Sequence, residues 1–261
     1  MAATYLDDII ASHLATASLD AREWQSRLGE TVYSGPSMYS ALSMSNGRVK
    51  VIAEVKRKSP SKGMLNPNLV ADDLAVVYES SGASAISVLT DENFFGGSVD
   101  DLEMVRRAVQ IPVLRKDFTV CENDVIDCAH MGASTVLLIV AALSDEQLSR
   151  YVALAHSIGL DALVEVHDQV EAQRALDAGA KLVGINQRNL RTFEVDVALA
   201  ERVVSSLPSG IIKVCESGLK TQQDVERASE AGFDAVLVGE TFVTAASPSE
   251  TVRAFSTVAH K

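Results

Sequence analysis

Eight short apolar runs, each followed by a segment with helical periodicity, constrain the fold of this 261-residue chain more than any other feature. The runs begin near Val51, Ser84, Pro112, Ser134, Ala162, Leu182, Ile211 and Ala235. Runs rich in Val, Ile and Leu are typical of parallel strands covered by helices, and eight such units close a (β/α)8 barrel of the α/β class. An open doubly wound sheet is the alternative, but no Gly-x-Gly-x-x-Gly turn follows the first run, where a dinucleotide fold usually binds pyrophosphate.

The predicted helices begin and end at residues that favour helix termini. A hydroxyl that can cap a first turn stands at Ser98, Ser144 and Thr221. Glycine tolerates the left-handed conformation that stops a helix. Such glycines precede the next strand at Gly82, Gly132, Gly159, Gly179 and Gly232.

Residues 1–48 predict a helical extension ahead of the first strand. Apolar residues recur at helical spacing over residues 6–14, a second helix is predicted over residues 21–28, and a short one over residues 38–43. His13 lies on the first apolar stripe, where a packing role is favoured over a ligand role.

The composition of the chain limits its possible domain organisation, partners and location. A hydrophobic content of 47% supports one large core, so we expect a single domain over residues 1–261. The formal net charge of −12 argues against nucleic-acid and membrane-surface partners. The chain has no apolar run of about 18 residues and no signal-peptide pattern at its start, which predicts a soluble cytoplasmic protein. Cys121, Cys128 and Cys215 lack metal-ligand spacing and are expected to be reduced thiols.

Polar residues follow six of the predicted strands, at the end where barrel enzymes build their active sites. Along the first strand, alternation places Glu54 and Lys56 on the same face. An isolated pair of this kind is more often a surface ion pair, but the joint occurrence at matching strand ends predicts an active site. The remaining residues in this pattern are Lys116, Glu165, Asn186, Arg188, Glu216, Ser217, Gly239 and Glu240.

Gly218 and Gly239 predict a phosphate site. Barrel enzymes often bind phosphate through backbone N–H groups in the loops after strands seven and eight, where these two glycines lie. An ordinary turn is the alternative for each glycine. Residues 56–62 add four basic side chains to an acidic chain, which favours a phosphorylated small molecule as the ligand.

Several segments together resemble the indole-3-glycerol phosphate synthase family. They are residues 53–61 (AEVKRKSPS), 89–91 (LTD) with 95–98 (FGGS), 114–118 (LRKDF), 184–190 (GINQRNL) and 216–218 (ESG). The resemblance covers the chain from about Tyr39 to its end, and the helical extension suits the family. It implies an enzyme of tryptophan biosynthesis that converts 1-(2-carboxyphenylamino)-1-deoxyribulose 5-phosphate into indole-3-glycerol phosphate, losing carbon dioxide and water. A fused isomerase domain is not expected downstream.

The resemblance also implies roles for individual residues. Lys116 is expected to be the general acid that protonates the substrate ketone, and Glu165 the acid/base of the dehydration, assisted by Lys56 and Glu54. No metal, cofactor or protein partner is required. Asn186 and Ser217 are expected to orient substrate hydroxyls.

A further group of residues is expected to bind the substrate. Arg188 would pair with Glu216 or with the substrate carboxylate, and Phe95 would cover the aromatic ring. Some family members carry serine where Glu240 stands, so we expect the phosphate to contact backbone N–H groups there. The substrate-binding residues are thus Ser59, Phe95, Arg188, Glu216, Gly218, Gly239 and Glu240.

Some residues keep a second interpretation. Phe95 can be simple core packing. Arg115 has the opposite parity to Lys116 and should face the helices, while Asp117 either orients Lys116 or caps the next helix. His167 shares the parity of the acid at position 165, but these two potential metal ligands fall short of the three that hold a catalytic zinc.

Two other functions have distinct signatures. Phosphoribosylanthranilate isomerase is a related barrel enzyme with a cysteine and an aspartate at its strand ends, whereas the first strand here ends with Glu54 and Lys56. A barrel that binds its ligand without catalysis is the other alternative.

Overall fold

The computed structural model describes residues 4–43, 46–60, 62–189 and 194–261, and its centre is a closed barrel of eight parallel strands. Strand β1 closes the ring by pairing with both β2 and β8. The predicted (β/α)8 fold is confirmed, and every strand begins within one residue of its predicted start. The strands are β1 (Lys50–Val55), β2 (Ala85–Leu89), β3 (Val113–Lys116), β4 (Thr135–Ile139), β5 (Asp161–Val166), β6 (Leu182–Asn186), β7 (Ile212–Glu216) and β8 (Ala235–Val238).

Helices surround the barrel, and a small hairpin pairs Lys58–Ser59 with Gly63–Met64 above its carboxyl end. Among the described residues, no helix has the length and apolarity needed to cross a bilayer. The described α-helices are α1 (Tyr5–Ser18), α2 (Trp24–Arg27), α3 (Met38–Ser43), α4 (Ala71–Ser80), α5 (Glu92–Phe95), α6 (Val99–Ala108), α7 (Glu122–His130), α8 (Asp145–Ser157), α9 (Gln169–Asp177), α10 (Val197–Val204), α11 (Gln222–Ala231), α12 (Glu240–Val243) and α13 (Pro248–Ser256).

Alternation along each strand sorts the side chains into two layers. On β1, Ile52 lies in the apolar cluster inside the barrel, whereas Val55 packs beneath the helices. The inward position after Ile52 is Glu54, and on β3 the inward position after Leu114 is Lys116. The barrel interior therefore changes from apolar to charged toward the carboxyl ends of the strands.

The predicted helix termini are confirmed. The hydroxyl of Ser98 accepts a hydrogen bond from a first-turn N–H, and Ser144 and Thr221 form reciprocal capping boxes with Gln147 and Asp224. All five glycines predicted to stop helices have a positive φ.

The N-terminal extension contacts both ends of the barrel. The hydroxyl of Ser37, just before α3, donates to Asp161 at the start of β5 at 2.9 Å. The backbone N–H of Tyr39, in α3, donates to the same carboxylate at 3.0 Å. In α1, His13 Nε2 lies 3.0 Å from Asp91 Oδ2 in the loop after β2. His13 also packs on the ring of Phe118, with centroids 5.5 Å apart, so it combines the predicted packing role with a hydrogen bond to a carboxylate. Residues 1–3 and 44–45 of the extension lie outside the described residues.

The second helix is shorter than predicted. The side chain of Asp20 accepts a hydrogen bond from the backbone N–H of Arg22 at 3.0 Å and also pairs with its guanidinium. Because of this turn, the helix begins only at Trp24. It ends at Arg27 and is followed by a 3₁₀ turn over Leu28–Glu30.

Replacing Gly232 by alanine tests the backbone requirement alone, because an added Cβ meets no atom within 4 Å while φ is +95°. We expect the free energy of unfolding to fall by about 1 kcal/mol, the cost of a left-handed conformation for a residue with a Cβ. Gly29→Ala is the matched control, since its Cβ also meets nothing and its φ is not left-handed. Equal urea midpoints for the two variants would contradict this account.

Candidate active site

One cavity of about 520 Å³ lies at the carboxyl ends of the strands. Every site residue predicted from the sequence, catalytic or substrate-binding, lines this cavity. These residues are Glu54, Lys56, Ser59, Phe95, Lys116, Glu165, Asn186, Arg188, Glu216, Ser217, Gly218, Gly239 and Glu240.

Glu54 and Lys56 form a tight pair on one wall, as their shared parity predicts. Lys56 Nζ lies 2.5 Å from Glu54 Oε1, and the Glu54 residue is 4% exposed. Gly239 makes room for the pair, because a Cβ there would lie 2.4 Å from Glu54 Oε1 and 3.0 Å from Lys56 Nζ. On the outer side of the same chain segment, Arg57 pairs with Asp101 of α6, which anchors the segment against the helix layer.

Lys116 lies at the centre of the cavity floor between two buried carboxylates. Its Nζ is 2.8 Å from Glu165 Oε2 and 3.6 Å from Glu216 Oε2. The two carboxylate side chains are 1% and 2% exposed, and that of Lys116 is 14% exposed. Charges so far from water stay ionised only when a partner compensates them.

The environment drives the pKa values of the two carboxyl groups in opposite directions. Burial alone would raise the pKa of Glu165, but Lys116 and His167 outweigh burial and hold it below its ordinary value. Burial raises the pKa of Glu216, which is farther from Lys116 and also faces the charges of Glu165 and Glu54. Burial would lower the pKa of Lys116, yet the surrounding carboxylates raise it. These shifts favour an ammonium at Lys116, a carboxylate at Glu165 and a protonated carboxyl group at Glu216.

Asn186 and Ser217 connect this floor to the loop after β7. Asn186 Nδ2 donates to Glu165 Oε1 at 3.0 Å, and the Ser217 hydroxyl donates to Asn186 Oδ1 at 2.8 Å. Ser217 has a φ of 68°, a left-handed conformation that usually costs a residue with a Cβ about 1–3 kcal/mol. The side-chain amide of Gln187 stabilises this conformation by donating to the Ser217 carbonyl at 2.8 Å.

The predicted binding residues surround the floor. Ser59 is buried in the hairpin, where its hydroxyl accepts from the Lys62 N–H at 3.3 Å. Phe95 packs beside Phe118, with ring centroids 6.2 Å apart, so it both joins the apolar cluster and faces the cavity. The backbone N–H of Arg188 donates to Asn186 Oδ1 at 3.0 Å. Ser61 and Leu190, which complete two of the sequence motifs, lie outside the described residues.

Arg115 faces the helices, as its parity predicts, since its guanidinium donates to the Asp124 carbonyl of α7 at 2.9 Å. Neither role predicted for Asp117 is present among the described contacts. Asp117 instead accepts from Arg115 at 3.0 Å and from the Phe118 N–H at 2.8 Å, while Asp124 supplies the cap of α7.

The apolar part of the lining was missed from the sequence. Leu89, Leu137, Ile139 and Leu237 line the cavity together with Phe118. The strand residues among them share the inward parity of the charged positions, so extending the alternation along each strand could have identified them. They give the cavity an apolar surface against which an aromatic ring can pack.

A second cluster lies beside the cavity. Within the described ranges, one group of histidine and carboxylate side chains is close enough to share a metal ion. It consists of His13, Asp91 and Asp117. Each already has a protein partner, since Asp91 also accepts from the Phe94 N–H at 2.6 Å and caps α5. We assign these residues a structural role in attaching α1 to the barrel.

A family model described as Indole-3-glycerol phosphate synthase matches residues 8–255. The chain belongs to this family. It is 53% identical over 200 residues to the indole-3-glycerol phosphate synthase of Beutenbergia cavernae, a match that covers 77% of this chain and 74% of the relative. It is 40% identical over 258 residues to the indole-3-glycerol phosphate synthase of Acetivibrio thermocellus, which covers 97% and 99% of the two chains.

The resemblance found in the sequence is thus confirmed, and with it the enzyme class, because the indole-3-glycerol phosphate synthase family consists of carboxy-lyases of tryptophan biosynthesis. A solved structure of thiamine phosphate pyrophosphorylase from Pyrococcus furiosus aligns with a TM-score of 0.60 over 79% of this chain and 93% of that chain. At 15% identity, that likeness shows the fold alone.

Substituting Gly184 on β6 tests whether the Glu216 carboxyl group needs its present position. A Cβ at 184 would lie 2.0 Å from Glu216 Oε1, so Gly184→Ala must displace that group. We expect synthase turnover to fall by about tenfold or more, because small misplacements in an active site are costly. The double variant with Glu216→Ala should be no less stable than Glu216→Ala alone. A Gly184→Ala enzyme with wild-type turnover would show that this position is not needed.

Proposed function

We propose that this enzyme closes the pyrrole ring of indole-3-glycerol phosphate with Lys116 as general acid and Glu165 as the acid/base of dehydration. The single observation that carries this proposal is the floor of the cavity, where Lys116 Nζ lies 2.8 Å from the buried Glu165 carboxyl group and 3.6 Å from that of Glu216. The substrate is 1-(2-carboxyphenylamino)-1-deoxyribulose 5-phosphate.

Ring closure requires a proton donor at the substrate ketone. The ring carbon that bears the carboxylate attacks the ketone carbon, and the ketone oxygen gains negative charge as the new bond forms. Lys116 is held as an ammonium by its carboxylate neighbours, so it can protonate that oxygen as charge develops. Loss of carbon dioxide from the same ring carbon then restores the aromatic ring.

Dehydration requires an acid and a base on nearby strands. The new hydroxyl leaves as water when a proton is supplied to it, and a proton is removed from the neighbouring ring position to form the double bond. Glu165 is 1% exposed, and Lys116 and His167 outweigh burial and lower its pKa, which favours the carboxylate form that a base in this step needs. Lys56 and Glu54 lie on the adjacent wall of the cavity and are proposed to assist as a proton-donating pair.

The lining also orients the substrate. Phe95, Phe118 and Leu237 form the apolar side, against which we place the anthranilate ring. The phosphate is proposed to lie at the backbone of Gly218, Gly239 and Glu240, with the Glu240 carboxylate turned away from it.

The other proposed properties follow from the sequence. The small phosphorylated substrate is the expected partner, with no nucleic acid, no membrane and no obligatory protein partner. The acidic composition supports the first two of these expectations, since a net charge of −12 repels anionic polymers and anionic lipid surfaces. We propose that the enzyme acts in the cytoplasm without a cofactor.

Replacing Lys116 by methionine tests the general acid. Methionine keeps the length and apolar stem of lysine but donates no proton, so turnover is expected to fall by about 100-fold or more. Substrate binding and the urea midpoint should change much less. Lys181→Met, at an exposed position before β6, is the matched control and should leave turnover unchanged. A Lys116→Met enzyme with more than about a tenth of wild-type turnover would remove Lys116 from this role.

Replacing Glu165 by glutamine tests the dehydration step. The amide keeps the shape and one acceptor of the carboxylate but cannot exchange the proton, so dehydration should slow more than ring closure. Rapid-quench experiments should then show a ring-closed intermediate that accumulates before indole-3-glycerol phosphate forms. If unreacted substrate alone persists, Glu165 acts at an earlier step.

A further inference from the structure

His167 lies behind the cavity floor and has no role in the steps above. It follows β5 with the same parity as Glu165, and it is not among the described residues that line the cavity. Its side chain is 16% exposed. A partly buried ring that can carry a charge, placed beside the proposed acid/base, requires a physical explanation.

Glu171 fixes the ring on one side. His167 Nδ1 lies 3.1 Å from Glu171 Oε2, and the same oxygen accepts from the His167 backbone N–H at 2.7 Å. Glu171 lies in the first turn of α9. Because an ionised carboxylate only accepts hydrogen bonds, Nδ1 carries a proton.

The other ring nitrogen points at Glu165. His167 Nε2 is buried, lies 3.6 Å from Glu165 Oε1, and has no hydrogen-bond partner in the described part of the chain. A neutral ring would aim a lone pair at the carboxylate oxygen, whereas an imidazolium aims an N–H at it. Burial would lower the pKa of His167, but Glu171, Glu165 and Glu216 raise it above its ordinary value. The doubly protonated ring is favoured because each ring nitrogen faces a carboxylate oxygen, Nδ1 at 3.1 Å and Nε2 at 3.6 Å.

Two cations thus compensate one carboxylate. Lys116 binds Glu165 Oε2 at 2.8 Å, and His167 faces Glu165 Oε1 at 3.6 Å. When Lys116 gives its proton to the substrate ketone, it becomes neutral, and the imidazolium is then the positive charge left beside Glu165. A carboxylate that is 1% exposed would otherwise favour its protonated form, which cannot accept a proton in the dehydration.

We propose that His167, as an imidazolium, is a positioning residue that keeps Glu165 ionised between ring closure and dehydration, while Lys116 is neutral. The inference rests on the proposed roles of Lys116 and Glu165. His167 acts through the carboxylate and does not touch the substrate. The 3.6 Å separation is longer than a hydrogen bond, and we expect it to shorten once Lys116 no longer attracts Glu165.

Two substitutions separate charge from shape. His167→Asn keeps an amide near the Nδ1 position, where it can still bind Glu171, and His167→Gln places a neutral amide near the Nε2 position. We expect both variants to lower kcat by about tenfold or more, with KM changed by less than about threefold, and to accumulate the ring-closed intermediate. His156→Asn, on the exposed side of α8, is the control and should keep wild-type kcat. Wild-type kcat in either His167 variant would overturn the proposal.

A titration that needs no turnover tests the same coupling. In protein labelled at the histidine ring carbons, the NMR signal of His167 should titrate above the ordinary range and that of His156 below it, since burial and Lys181 lower the pKa of His156. Glu165→Gln should move the His167 titration to lower pH and leave that of His156 in place, because coupling between two sites is reciprocal. An unchanged His167 titration would contradict the proposal.

The two measurements also separate this inference from the proposed function. A wild-type enzyme that forms indole-3-glycerol phosphate, with His167 variants that show neither slower turnover nor an accumulated intermediate, would reject the role of His167 alone. A wild-type protein that forms no product would reject the proposed function, whatever the titration shows.

Discussion

The compensation of charge around Lys116 is the interaction on which the site depends. Its ammonium is withdrawn from water at the barrel floor, within 2.8 Å of Glu165 and 3.6 Å of Glu216. Removing one partner from a buried pair of this kind usually costs about 3–5 kcal/mol, because a charge is left without compensation. The same constraint makes the protonation states of the group interdependent. A proton that leaves Lys116 changes the environment of both carboxyl groups, so the steps of the reaction are coupled through the floor itself.

The backbone provides the space for these groups. Gly184 leaves a gap on β6 that the Glu216 carboxyl group fills, and Gly239 leaves a gap after β8 beside the Glu54–Lys56 pair. Ser217 adopts a left-handed backbone conformation and is stabilised there by Gln187. Neighbouring strands therefore carry their charged side chains at the same depth of the barrel. The backbone at Gly184 and Gly239 approaches these side chains more closely than a residue with a Cβ could. The helices outside, with their capped first turns, pack on the outward-facing residues of these strands.

Much of this arrangement is predictable from the sequence because the periodicity of strands is strict. Alternation from Ile52 to Glu54 and from Leu114 to Lys116 predicts the inward direction of the charged residues, and the apolar runs predict the start of each strand. Pairings across the barrel were harder to predict, since sequence spacing does not show which inward side chains reach each other. The contact between His167 and Glu165 and the attachment of His13 to Asp91 depend on side-chain reach and on loop geometry. The shortened α2 depended on a local bond between Asp20 and Arg22, a competing turn that helical periodicity does not detect.

Neutron diffraction from the substrate-free enzyme at neutral pH would locate the protons on the floor of the cavity, and these protons decide which groups can act as acid and base. We expect three deuterons on Lys116 Nζ, none on the Glu165 carboxylate, one on the Glu216 carboxyl group, and one on each ring nitrogen of His167. A deuteron on Glu165 would contradict its proposed role as the base, and an ionised Glu216 beside an ionised Glu165 would contradict the opposite pKa shifts of the two groups.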